Sequence, residues 1–189
     1  IPVSGPVAAA SAHGYRRNHG PAVFGWAGKP ASAYQLKTII SRLAPDVFDR
    51  VRFIVLSGED PELNVKYEYW QYSQTIEHEF FRLVDVGLVP VTESKFDLGK
   101  TPVKALQHFS YGKTVLASPS GAAAEFIDKT TAVLVAEGKW EEAVEAICSG
   151  NIDLYALGEC ARDRQMRFYS REVTGGRLIG ALLELSERS

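Results

Sequence analysis

The chain has 189 residues, 46% of them hydrophobic and 23% charged, with a net charge of -2. That length fits one domain able to bury about two-thirds of its unfolded surface, and the near-balanced charge excludes a global footprint for nucleic acid, so any phosphate binding must be local. Cys148 and Cys160 lack CxxC or His/Cys ligand spacing and read as reduced structural thiols, and no apolar run reaches the ~18 residues of a membrane span.

Residues 1–20, beginning IPVSGPVAAASAHG, have no basic n-region and are broken by Pro and Gly. They read as a linker or the cut end of a longer chain, not a signal peptide, which leaves 21–189 as the folded domain. The run Ala22-Val23-Phe24-Gly25-Trp26 is a strand, followed by Ala27-Gly28-Lys29-Pro30. A glycine before a lysine at a strand's carboxyl end lets backbone approach a phosphate and sets a cation beside it; a plain turn with a solvated lysine is the competing reading. Ser32 is placed to cap a helix with Leu36, Ile39, Ile40 and Leu43 inward, and Pro45 stops it. A second strand runs from Val51 to Leu56 and ends in Ser57-Gly58-Glu59-Asp60. Gly58 is a candidate turn glycine at a ligand crevice; Glu59 is either a ribose acceptor or a solvated acid.

Val65 to Trp70 alternates as a short strand, and the spacing predicts a helix from Gln71 with Ile76, Phe80, Phe81 and Val84 inward. Trp70 and Tyr72 read by default as aromatic core packing. Glu77 and Glu79, two apart, point to different helix faces and make no paired-carboxylate site.

The most informative stretch runs from Asp85 to Phe126. Val86-Gly87-Leu88-Val89 is a strand ended by Pro90, followed by a polar segment from Thr92 to Gly99. Lys100-Thr101-Pro102 then opens a helix, with Thr101 expected as N-cap and Pro102 at the first helical position. Such an end attracts anions, and Lys100 adds a full charge. Val103, Leu106 and Phe109 fall inward, while Lys104 and Gln107 share another side near the opening. Gly112 is the expected C-cap, Thr114-Val115-Leu116-Ala117 the next strand, and Ser118-Pro119-Ser120-Gly121 a turn. Ala132 to Val135 is a last strand. Lys139 starts a helix with Trp140, Ala143, Val144 and Ile147 inward, Asn151 is expected to cap another through about Phe168, and Ser170 opens the final one, where Gly175-Gly176 weakens the first turns.

Strands alternating with helices predict an α/β doubly wound parallel sheet, Rossmann-like, whose loops at the strands' carboxyl ends line the ligand crevice. Several chemistries are disfavoured. A GxGxxG fingerprint would fall at Gly25-Trp26-Ala27-Gly28-Lys29-Pro30, where Pro30 breaks the pattern, and Gly99-Lys100-Thr101 is only the tail of a Walker loop. His13, His19, His78 and His108 are scattered, and no G-x-S-x-G elbow occurs.

The ordered set GLVP, F-x-x-GKTPxKALQ and GKTVLASPSGAAAEF, with FGWAGKP before it and KWEEAVEAI and RDRQMRFYS after it, resembles the donor-binding half of retaining, nucleotide-sugar-dependent glycosyltransferases of the two-domain GT-B architecture, group 1 or family 4 type. The match spans roughly residues 20–185. The resemblance implies a C-terminal domain that binds a nucleotide-diphosphate sugar, needs no metal, and works with a missing N-terminal acceptor domain. It implies a cytoplasmic protein, with peripheral membrane association through the full-length chain left open, and a last helix that crosses back to the other domain. Lys29, Lys100 and Lys104 become candidate diphosphate contacts, with Thr101, Gly28 and Gly99 presenting backbone. In the E-x7-E motif of these enzymes the first position here is Gly99 and the second Gln107; Gln107 still accepts from ribose hydroxyls, and Glu93 is the candidate substitute for the sugar-contacting carboxylate. Trp70 or Tyr72 would meet the base, as the loop after this strand does in the related enzymes, and Glu125 either fits the GxxxE end of the turn or is an exposed helix acid. Two alternatives stay open: a sugar-nucleotide epimerase-type relative and a non-catalytic interaction domain of the same fold.

Overall fold

The computed structural model describes residues 20–91, 99, 101–118 and 124–187. Six strands, β1 (Val23–Ala27), β2 (Arg52–Ser57), β3 (Glu68–Gln71), β4 (Val86–Val89), β5 (Thr114–Ala117) and β6 (Val133–Leu134), form one sheet in the order β3-β2-β1-β4-β5-β6, with every pairing parallel. The helices are α1 (Ala33–Ile40), α2 (Val47–Arg50), α3 (Gln74–Leu83), α4 (Val103–Ser110), α5 (Trp140–Cys148), α6 (Leu154–Arg164) and α7 (Arg171–Glu187). A 3-10 turn, Pro30–Ser32, leads into α1, and a π-helical turn, Gln165–Tyr169, extends α6. This is the doubly wound Rossmann-like sheet expected from the alternation of elements.

The two-residue period of the strands sorts the core into two layers. Phe24 and Trp26 of β1, Phe53 and Val55 of β2, Val86 and Leu88 of β4 and Leu116 of β5 pack with α1, α2 and α5. On the opposite face Val23, Ala27, Ile54 and Leu56 meet Phe80, Phe81 and Val84 around α3, while Val115 and Ala117 meet Leu106 and Phe109 of α4 and Ala161 of α6. Two glycines let α3 and α4 approach this second face. A Cβ on Gly25 would lie 2.4 Å from Val84 and 2.6 Å from Phe80, and one on Gly87 would lie 2.3 Å from the His108 ring.

Three helix starts differ from expectation. α3 begins at Gln74, not Gln71, because Ser73 is the cap: its hydroxyl accepts from the Ile76 N–H at 3.2 Å. α6 is capped by Asp153, whose carboxylate takes the Ala156 N–H at 2.9 Å, so Asn151 does not serve. α4 starts at Val103, with Pro102 in the cap position. Among strands, β1 and β2 each start one residue later than expected, β3 shortens to Glu68–Gln71, and β6 keeps only Val133–Leu134. The predicted end of α4 holds. Gly112 adopts a φ of 67°, and the Lys113 and Gly112 N–H groups return to the His108 and Phe109 carbonyls at 3.0 and 2.9 Å, a Schellman closure.

Asp85 fixes where β4 enters beside β1. Its buried carboxylate accepts from the Val23 N–H at 2.9 Å while its own N–H donates to the Val23 carbonyl at 2.8 Å. The two central strands are thereby pinned at the end opposite the crevice.

Candidate functional site

The chain leaves β1 toward β2 on one side and leaves β4 toward β5 on the other, so the loops after these adjacent strands diverge. A crevice at the carboxyl ends follows from that topology. A cavity of about 230 Å³ lies there, lined by Trp26 to Lys29 after β1, Ser32 and Gln35 at the start of α1, Leu88 to Val91 after β4, and Thr101 to Lys104 at the start of α4.

Its β1 wall is fixed by packing. Trp26 is 3% exposed, and a Cβ on Gly28 would lie 2.3 Å from the Trp26 ring, so only glycine lets the chain pass over the indole. The Gly28 N–H donates to the Leu56 carbonyl at 3.1 Å, which ties this turn to the end of β2. Lys29 follows at the crevice with an exposed side chain. The β4 wall is held by Ser118, whose hydroxyl accepts from the Val91 N–H at 3.1 Å and whose N–H donates to the Val89 carbonyl at 3.4 Å.

The third wall is the amino end of α4, and here the expected cap is corrected. Pro102 itself holds the cap position with φ -79° and ψ 61°, and the Val103 N–H donates to the Thr101 carbonyl at 2.8 Å, an inverse γ-turn. At that ψ Pro102 is not helical, so Thr101 stands one residue too early to be the N-cap. The consequence for the site is small. The Val103 N–H is taken by that turn, but Val103 and Lys104 of this eight-residue helix still line the cavity, beside the partial positive charge of a helix start.

Lys104 lines the cavity from the first turn of α4, but it is already engaged: its Nζ lies 3.0 Å from Glu77 Oε1 of α3 and 5.7 Å from the centroid of the Phe81 ring. Gln107 is buried and turned the same way, its Nε2 donating to Glu77 Oε1 at 3.2 Å. It does not line the cavity, and its buried Oε1 has no hydrogen-bond partner among the described residues. Glu77 was missed by sequence reasoning, which compared it only with Glu79. The available signal was the Lys104/Gln107 pair itself, a donor face three residues apart that needs an acid opposite.

The remaining candidates are not gathered with Lys29. Gly58 is exposed at the end of β2, where its carbonyl accepts from Gln71 Nε2 at 3.3 Å. Trp70 is half-buried on β3 and packs with the α3 cluster, Tyr72 is exposed, and neither lines the cavity. Gly99 is exposed and Glu125 lies exposed near a short turn, likewise off the cavity lining. Lys100 and Glu93 lie outside the described residues.

Solved structures share this fold. HepE of Anabaena, in complex with UDP-glucose, matches over 87% of this chain and 49% of its own, at 13% identity and a TM-score of 0.64. Sucrose-phosphate synthase of Thermosynechococcus elongatus matches over 89% of this chain and 46% of its own, at 15% identity and a TM-score of 0.67. The C-terminal domain of a glycosyl transferase group 1 family protein, LpcC of Francisella tularensis, matches over 80% of this chain and 88% of its own, at 13% identity and a TM-score of 0.58. This chain thus spans about half the length of the first two and most of the third, an isolated C-terminal domain. It shares the fold of that C-terminal domain and of the matching parts of the other two. No protein-family model and no curated protein sequence matches it.

Proposed function

We propose that this chain is the donor-binding half of a retaining glycosyltransferase, holding the diphosphate of a nucleotide-diphosphate sugar in the crevice between β1 and β4. The observation that carries the reading is convergence: Gly28, Lys29, Lys104 and the amino end of α4 open on one cavity at the point where the strand order reverses. When the bond from the sugar's anomeric carbon to the diphosphate breaks, the bonding pair leaves with the phosphate oxygen. Fixed backbone donors and ammonium groups stabilise that growing charge, with no reorganisation needed at the moment of reaction. Lys29 and Lys104 are assigned to this task, with Thr101 presenting backbone at the same wall. Lys100 and Glu93 belong to the same reading as second ammonium and sugar carboxylate. Gln107 and Trp70 stand in it as ribose and base contacts that the donor would have to draw toward the cavity.

A volume of about 230 Å³ is below the ~300 Å³ lower end of ordinary ligand pockets, and suits a diphosphate better than a whole nucleotide sugar. The second wall would come from an N-terminal partner domain that carries the acceptor, and a cytoplasmic site follows from the proposed donor. Among the described residues no helix is long and apolar enough to cross a membrane.

Isothermal titration with UDP, GDP and their sugars tests the assignment. We expect at least one to bind with a Kd unchanged by EDTA and raised about tenfold, or about 1.4 kcal/mol, by Lys29→Ala. No heat from any of them, or a Lys29→Ala variant indistinguishable from the parent, would overturn it. The anomeric configuration of the product made by the full-length protein tests retention.

A further inference from the structure

We infer that Glu77 is a positioning residue for Lys104: from a helix that does not border the crevice, it holds the lysine's ammonium ready for the diphosphate. The inference rests on the donor-binding reading and names a part of that site which the cavity lining leaves out.

A lysine at a helix start has a flexible four-carbon stem and a compact, strongly hydrated charge, so its direction is not set by its backbone. Here two contacts on α3 set it: Glu77 Oε1 at 3.0 Å from Nζ, and the Phe81 ring 5.7 Å away. Glu77 is itself held. Its side chain is 18% exposed, the same Oε1 accepts from Gln107 Nε2 at 3.2 Å, and α3 is anchored through Phe80 and Phe81, both essentially buried. An ammonium has three donors. One is spent on Glu77, leaving others for an anion in the cavity that Lys104 lines.

An acid beside an anion site also repels the anion, and the two effects have opposite signs in experiment. If repulsion dominated, removing Glu77 would tighten anion binding. If positioning dominates, removing it frees the lysine, whose side chain must then be ordered at the moment of binding, and affinity falls. The geometry favours positioning, because Gln107 and Phe81 add a second contact to each partner of the pair and fix where the ammonium stands. Glutamine at position 77 separates the two effects cleanly, since it keeps an acceptor oxygen for Lys104 and discards the charge.

Inorganic pyrophosphate is the probe, because it needs no base or sugar contact. With the 20.8 kDa chain in a titration calorimeter, Glu77→Ala should raise the pyrophosphate Kd about fivefold. Glu77→Gln should bind at least as tightly as the parent. Lys104→Ala should lose at least as much as Glu77→Ala, because it removes the anion contact itself, and the double variant should be no weaker than Lys104→Ala alone. If Glu77→Ala does not fold by circular dichroism, Glu77→Met, which keeps the stem length, takes its place with the same expected loss. The inference is overturned if the alanine or methionine variant binds as tightly as the parent, if glutamine is as poor as alanine, or if the losses at 77 and 104 add. A parent chain that binds no pyrophosphate overturns this inference and removes the crevice from the donor reading as well. A parent that binds, with Glu77 variants unchanged, overturns this inference alone.

Discussion

His108 shows how far one side chain can be committed to structure. It is 1% exposed, its ring lies 4.8 Å from that of Phe81 and 6.1 Å from that of Phe80, and it fills the space a side chain on Gly87 would need. Burial, and then the charges of Lys104 and Lys113, push its pKa down to about 3. The unfolded chain would take up a proton near the ordinary 6.5 and the folded chain would not, so stability is full above about pH 6.5 and falls as pH drops toward 3. The slope of that loss approaches about 1.4 kcal/mol per pH unit. Urea unfolding at pH 7, 6, 5 and 4 should therefore give a shallower acid dependence for His108→Leu than for the parent, and parallel curves would contradict the assignment. Residue-scale legibility divides at sequence distance. The placement of Gly28 and Lys29 at the cavity is readable because they adjoin a strand end, and the shared direction of Lys104 and Gln107 because they lie three apart on a helix, though Gln107 stays off the cavity lining. Glu77 is 27 residues from Lys104, and only the packing of α3 beside α4 brings them together.

At the scale of elements, the sheet is legible because buried parallel strands are continuous apolar runs: β4 and β5 fall where the sequence places them. Boundaries slip where polar residues compete for one task. Ser73 and Asp153 win the caps because each lies three residues before the N–H its side chain takes, a choice that composition alone leaves open. The inverse γ-turn at Pro102 was illegible for a related reason, since proline's φ suits both the first helical position and this turn, and ψ decides. The glycines under α3 and α4 carry a direct prediction. Gly87→Ala places a methyl 2.3 Å from His108, wedged between sheet and helix, and should cost about 1–3 kcal/mol of stability by urea unfolding. Gly58→Ala meets nothing within 4 Å among the described residues and serves as the reference, with a change within about 0.5 kcal/mol. Equal midpoints for the two would contradict the close approach of α4.

For the whole molecule, alternating elements and right-handed crossovers leave few arrangements, and the observed order β3-β2-β1-β4-β5-β6 is the one that opens a crevice between β1 and β4. The exposure of the last helix was not legible in the sequence. Ile179, Leu182, Leu183 and Leu185 on α7 are each more than half exposed, an apolar stretch that suits burial against the partner domain the proposed function requires. The acidic surface around Glu141, Glu142 and Glu145 on α5 lies on another part of the molecule and provides an internal control. Backbone amide NMR of the chain titrated with UDP tests the central claim most directly, because it reports where the diphosphate sits as well as whether it binds. The account requires the largest shifts at Gly28, Lys29, Thr101, Val103 and Lys104, with Glu141 and Glu142 unmoved. Saturable shifts centred elsewhere, with the β1 turn and the start of α4 silent, would contradict it.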